Sequence, residues 1–332
     1  MVFVTGGTGL LGSHLLVELS KQHDNITAIY RNQSKIERVK SVFYHYLKEE
    51  TENYFKKIIW VACDILDVPK LEEVMEGHKV IYHCAGFVSF ARRDFSSLIE
   101  INRYGTANMV NVALSKKVDK FCHVSSTSAV GRKDIPSNVE ITEKGKWILT
   151  EKTSGYSISK YSAEKEVWRG IHEGLNAVIV NPSIIFGYGN WDESSMKIFK
   201  RIKKGINFYS SGANAFVDAR DVAKIMVTLM NQDIFNERFL CTGTNISFKE
   251  VFEKIAIQLD KKPPTFQVNK FLMGVAWRLS VLWGFITFSK PTLSRETARN
   301  AFTVAKFNSN KVKERIGHEF YGLDETIENV LR

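Results

Sequence analysis

Short apolar runs recur along the first half of the chain, at residues 1–4, 26–30, 58–63, 80–84, 120–124 and 177–180. Each is too short for a buried helix and reads as a strand covered on both sides. Between them the apolar residues fall at helical spacing. Leu11, Leu15, Leu16 and Leu19 mark one helix, and further helices are predicted over 35–54, 69–75, 95–114 and 154–170. Pro69 stands in a first turn, where its missing N–H costs nothing. Strands alternating with helices predict a parallel sheet with helices on both faces. Ligands of such sheets lie beyond the carboxyl ends of the strands, here Thr5, Arg31, Asp64, Ala85, Ser125 and Asn181. The polar stretch 132–153 reads as a loop beside that edge.

After residue 182 the alternation weakens. A basic helix is expected over 197–204, another helix over 218–230 and a short strand over 238–241, the last two returning to the sheet. From residue 245 the chain reads as mostly helical. Residues 271–288 are strongly apolar but short for a membrane span, and Arg278 would be costly inside one. A helical wall of an apolar pocket is the expectation there, with Trp277, Leu282, Trp283 and Phe285 facing inward.

The chain has 332 residues, 44% of them hydrophobic, which suits a folded protein with an ample core. Its net charge of +10 suits an anionic ligand, but the basic residues read as dispersed, so nucleic acid is not an expected partner. Cys63, Cys84, Cys122 and Cys241 lie far apart with no C-x-x-C pair, so neither a metal nor a disulfide is expected. The first residues already belong to a strand, leaving no room for a signal peptide, and a cytoplasmic location is the expectation.

Two clusters carry chemistry. Between the first strand and helix stands Thr5-Gly6-Gly7-Thr8-Gly9-Leu10-Leu11-Gly12. Glycines there permit a tight turn, close approach of a pyrophosphate and close helix–strand packing, and the helix N-terminus presents free N–H groups to phosphate. The second cluster is Tyr156 and Lys160, four apart on one helix, with Ser126 at the end of the fifth strand. An ammonium near a phenol favours the phenolate and lowers its pKa, which suits a general acid/base. The second strand ends in Arg31 with Ser34 and Lys35 beyond, where a site for an unphosphorylated ribose normally carries a carboxylate. That points to NADP(H), with NAD(H) as the alternative.

With these motifs the chain resembles the extended short-chain dehydrogenase/reductases, the NAD-dependent epimerase/dehydratase family, most closely the dihydroflavonol-reductase and 3β-hydroxysteroid-dehydrogenase-like branch. TGGTGLLG, Asp64-Ile65, Cys84-Ala85-Gly86, the helix bearing Asn102, VSSTSAVG, YSISK and FVDARDVA all match. Asn181-Pro182-Ser183 matches the usual R-P segment, with asparagine where arginine is common, which leaves the contacts there open. The resemblance implies an α/β fold: a Rossmann-type doubly wound parallel sheet with a smaller, mostly helical C-terminal substrate domain. Residues 1–180 and 210–243 would form the first, 181–209 and 244–332 the second. It makes Tyr156 the acid/base, Lys160 its partner and a ribose ligand, and Ser126 the orienting hydroxyl, with Thr127 as the alternative. The implied cofactor residues are Thr5, Gly6, Gly9, Leu10, Leu11, Gly12, Arg31, Lys35, Asp64, Ile65, Cys84, Ala85, Gly86, Asn102, Tyr156, Lys160, Asn181, Pro182 and Ser183. Asn102 would mainly support local structure. Substrate would meet Phe87, Ser89, Ser126, Thr127 and Phe186.

The implied function is an NADPH-dependent reductase/dehydrogenase acting on a hydrophobic ketone, aldehyde or alcohol. A nucleotide-sugar epimerase/dehydratase with tightly bound NAD is the alternative, and a non-catalytic NADP sensor a lesser one. Expected partners are a small-molecule substrate and at most a second copy in a homodimer, without stable membrane insertion.

Overall fold

The computed structural model describes residues 1–131, 139–151, 153–286 and 293–332, with the backbone alone at 284 and 285. Part of the loop expected over 132–153, and the end of the apolar stretch at 287–288, lie outside the described residues.

Strand β1 (Val2–Thr5) is buried along its whole length. Alternate side chains serve opposite faces. Val2 and Val4 join a core with the helices Leu10–Ser20 and Ala219–Asn231. Phe3 joins a second core with the helices Gly105–Ser115 and Gly155–His172. The same division holds in β5 (Lys120–Val124) and β6 (Ala177–Pro182), where Cys122, Val124, Val178 and Val180 face one side and Phe121, Ala177 and Ile179 the other. Burial on two faces is why these strands read as unbroken apolar runs.

The other members are β2 (Ile26–Tyr30), β3 (Ile58–Ala62), β4 (Val80–His83) and β10 (Glu237–Cys241). The sheet runs in the order β10-β6-β5-β4-β1-β2-β3, with every neighbouring pair parallel. This is the doubly wound Rossmann arrangement, with one further strand beyond β6. The expected return of residues 238–241 to the sheet is seen in β10, beside β6. Sequence order reverses between β1 and β4, and that crevice is where the glycine loop lies.

The second half holds more strand than its pattern predicts. Here β7 (Ile184–Phe186), β9 (Ala213–Asp218) and β11 (Thr244–Ser247) form a small mixed sheet. A ribbon pairs β8 (Phe208–Tyr209) with β12 (Phe266–Gln267). These strands are short and of mixed polarity, so they carry little periodic signal. A third core containing Phe199, Phe216, Val251 and Ile255 holds this part together.

Two helices differ from their predicted form. The helix expected over 35–54 stops at Leu47, because Lys48 takes φ +49°, and a separate turn covers Thr51–Phe55. The helix expected over 95–114 runs through 115 but widens to π-helical turns over Ile99–Tyr104.

The apolar stretch near the end departs furthest from expectation. It forms a helix, Lys270–Ile286. It is not a pocket wall with Leu282 and Trp283 turned inward, since those two side chains are 55% and 67% exposed. Trp277 is half-buried, and the Phe285 side chain lies outside what is described. Among the described residues no helix is long and apolar enough to cross a membrane.

Candidate active site and cofactor cleft

At the carboxyl edge of the sheet, the turn after β1 approaches its neighbours so closely that side chains are excluded. Gly6 sits at φ +69°, and a Cβ there would lie 2.5 Å from the Ala85 nitrogen. A Cβ on Gly12 would lie 2.1 Å from the Gly6 carbonyl oxygen. Gly9 caps helix Leu10–Ser20, whose first turn carries no acidic residue, so its free N–H groups face no competing charge. The Thr5 hydroxyl accepts from the Ala85 N–H (3.1 Å) and bonds the His83 ring (2.7 Å), whose other nitrogen meets the Thr106 hydroxyl (3.0 Å). Burial lowers the His83 pKa to about 3, so it bridges these groups as a neutral ring.

The chemical end is built by β5, helix Gly155–His172 and the π-helical segment. Ser154 caps helix Gly155–His172, accepting from the Ser157 N–H at 3.0 Å. One turn of helix then places Tyr156 and Lys160 on one face. The Ser126 hydroxyl lies near enough to the Tyr156 hydroxyl to draw its pKa down. The Ser126 Oγ accepts from the Ser128 N–H at 3.1 Å, which fixes its direction. Thr127 is buried beside it. Lys160 is buried and donates to the Val124 carbonyl at 2.8 Å. Burial lowers its pKa to about 8, with Glu164 acting in the opposite sense. Tyr156 shifts upward, against the depression expected from the spacing: burial raises it, and the Ser126 hydroxyl only offsets part of that.

Asn102 sits in the π-helical turn, a local widening often found at functional sites. Its Oδ1 accepts from the Phe87 N–H (2.7 Å), while its Nδ2 donates to the Phe87 carbonyl (2.9 Å) and the Ser159 hydroxyl (2.9 Å). The amide thus clamps the loop after β4 to helix Gly155–His172. Ser89 is occupied within that loop, donating to Asp94 at 2.7 Å. Phe90 stands edge-on to Tyr156 with ring centres 5.6 Å apart, and Phe95 packs on Gly155. Phe186 belongs elsewhere: it is fully buried against Phe199 and Phe216, so it offers no surface to a substrate.

Glu164 carries a network that the motifs did not reveal. It is buried one turn beyond Lys160 and accepts from Ser125 (2.7 Å), Asn181 (2.8 Å), Arg238 (3.0 Å) and Trp168 (3.2 Å). Strands β5, β6 and β10 are therefore tied to helix Gly155–His172 through one carboxylate. Asparagine replaces arginine at 181, and Arg238 on the next strand supplies a guanidinium. The helical spacing of Glu164 from Lys160 was legible, but its partner on a distant strand was not.

At the other end of the cleft the expected cofactor residues meet acidic partners. Arg31 lies 3.6 Å from Asp64. Lys35 and Arg38 both reach the Glu193 carboxylate at 3.0 Å. The Ser34 hydroxyl already donates to Asn32 at 2.7 Å. A cleft of 880 Å³ lies beside this cluster, lined by Thr8, Gly9, Ser13, Arg38, Trp191 and Glu193 and by residues 330–332, while Arg31, Lys35 and Asp64 stand outside it. Arg38 and Glu193 had no motif to reveal them, because their meeting joins segments 155 positions apart.

The features that fit a dinucleotide are the glycine cradle, which any Cβ would fill, and two buried polar atoms without a hydrogen-bond partner, Asn181 Oδ1 and Ser183 Oγ. Residues 2–239 match the NAD dependent epimerase/dehydratase family. The chain belongs to that family. It is thereby an NAD(P)-dependent oxidoreductase of the extended short-chain dehydrogenase/reductase type, a reductase or an epimerase/dehydratase.

Among curated relatives, sterol demethylase protein B of Methylococcus capsulatus is 27% identical over 280 residues, covering 82% of this chain and 79% of that protein. Anthocyanidin reductase of Arabidopsis thaliana is 26% identical over 269 residues, covering 75% and 77%. Among solved structures, gox2253 superposes with a TM-score of 0.79 at 24% identity, covering all of this chain and 96% of the other, which supports the fold.

Proposed function

We propose that this family member is an NADPH-dependent reductase/dehydrogenase that interconverts a ketone or aldehyde and an alcohol on a hydrophobic small molecule. The observation that carries this reading is the Tyr156–Ser126 pair set against Phe90 and Phe95. A phenol raised above its ordinary pKa stays protonated near neutrality, the form needed to give a proton to a carbonyl oxygen. The Ser126 hydroxyl orients that oxygen, and the Lys160 ammonium supports negative charge on the phenol once its proton has left. Aromatic walls suit an apolar substrate.

When bound, the cofactor supplies the hydride. Gly6, Gly9 and Gly12, with the backbone of Leu10 and Leu11, would hold its pyrophosphate; Asp64 and Ile65 would flank the adenine. Cys84, Ala85, Gly86, Lys160 and the segment Asn181-Pro182-Ser183 would hold the nicotinamide ribose end. Arg31, Lys35 and Arg38 would receive a 2′-phosphate, so NADP(H) is favoured over NAD(H). We assign 1–180 and 210–243 to the cofactor unit and 181–209 and 244–332 to the substrate unit, with β9 as the exception inside the former because it pairs with β7 and β11.

The test is turnover of a panel of aromatic and alicyclic ketones with deuterated NADPH. Deuterium at the carbinol carbon of the product is the expected result. NAD retained through purification, together with exchange-free inversion or dehydration of a nucleotide sugar, would overturn the reductase reading.

A further inference from the structure

The net charge of +10 is not spread over the chain as the sequence pattern suggested. Residues 194–209 and 261–286 together hold nine lysines and arginines and no acidic residue, which leaves the remainder near neutrality. These two segments are brought together in space. The β8/β12 ribbon pairs Phe208 with Phe266 and Tyr209 with Gln267. The basic helix Lys197–Lys203 leads into β8, and β12 leads into the apolar helix Lys270–Ile286.

That helix turns an apolar face to solvent. Phe271, Leu272, Val275, Leu279, Leu282 and Ile286 fall on one side at helical spacing, and they are 42–77% exposed. The half-buried Ser280 lies on the other side and accepts from the Leu293 N–H at 3.1 Å. At the ribbon the Phe208 and Phe266 rings, 6.1 Å apart and both exposed, extend the apolar surface. Lys203, Lys204, Lys261 and Lys262 are exposed beside these elements.

We infer that this face docks on an anionic lipid bilayer, with helix 270–286 lying in the interface and the lysines meeting headgroups. Large apolar side chains on one face and cations around them are what an interfacial helix needs. Cations near an anionic membrane surface add attraction one by one. Charge complementarity selects this occupant over a second copy of the chain, because a self-complementary contact would bring two strongly basic faces together. The surface also communicates with the catalytic helix: the segment carrying Leu293 continues into helix Arg295–Asn300, where Glu296 accepts from the Gly155 N–H at 3.2 Å. The inference stands independently of which reaction Tyr156 serves.

The experiment is co-sedimentation of the full chain with vesicles of phosphatidylcholine alone and of phosphatidylcholine with phosphatidylserine, at low and high salt. Wild type is expected to bind the anionic vesicles and to be released by salt. Lys203→Glu/Lys204→Glu/Lys261→Glu should weaken binding by about fivefold or more for each charge reversed. Leu279→Glu/Leu282→Glu should abolish it while leaving thermal melting unchanged, since both side chains are exposed. Absence of binding to anionic vesicles would overturn the inference, as would equal binding to neutral vesicles. Concentration-dependent dimerisation of wild type, lost in the Leu279/Leu282 variant without vesicle binding, would assign the face to a second copy instead.

Discussion

The two ends of the cofactor cleft satisfy their charges in opposite ways. At the chemical end, Lys160 and Glu164 are buried, and each bonds to backbone or to several side chains that are themselves held. At the proposed adenosine end, Arg31, Lys35 and Arg38 are 58%, 36% and 53% exposed and meet single carboxylates. Burial makes the first end rigid and costly to disturb, whereas solvent makes the second cheap to rearrange. On the proposed function, one end is preorganised for a fixed proton transfer. The other holds its cations with protein anions that a ligand phosphate can displace.

The hardest test of that contrast is Tyr156→Phe. Turnover should fall by about 10²–10⁴-fold, with cofactor affinity measured by titration little changed. A variant keeping more than about half the wild-type rate would break the acid/base assignment.

Glu164→Gln probes the same end through its support. Removing one partner of the buried pair with Arg238 should cost about 3–5 kcal/mol of stability in chemical denaturation. Its second signature is in pH. Lys160 has a folded pKa of about 8, below its unfolded value, so the penalty for holding it charged is fully present below pH 8 and relaxes as pH rises past it. Reductive activity that depends on the ammonium should therefore decline as pH rises through about 8. Glu164 raises that pKa, so the Gln variant should move the decline to lower pH. An unmoved pH profile would leave Glu164 a purely structural tie.

At the adenosine end the effects should be smaller. Arg31→Asp should reduce preference for NADPH over NADH by about tenfold or more, read by isothermal titration with each cofactor. Equal affinity of wild type for both would remove Arg31 as a selector. Glu193→Ala should free Lys35 and Arg38 and tighten NADPH binding by about two- to fivefold, with NADH unchanged, because exposed ion pairs contribute little. Weaker NADPH binding in that variant would mean that Glu193 itself holds the cofactor.

The sequence alone determined the strands of the Rossmann sheet, because burial on both faces forces unbroken apolar runs, and the glycine turn, because no side chain fits between Gly6 and Ala85. It also placed Tyr156 and Lys160 together, since their meeting is a matter of one helical turn. Only the tertiary structure decided the rest. Asn102 and Phe87, Glu164 and Arg238, and Arg38 and Glu193 are joined across 15, 74 and 155 positions, separations that no local period records. The direction of the Tyr156 shift depended on burial, which spacing does not report. Phe186 and helix 270–286 make the same point from opposite sides. Both are apolar in sequence, yet one is enclosed by Phe199 and Phe216 and the other faces solvent, because hydrophobicity states what burial would gain and only packing decides what is buried.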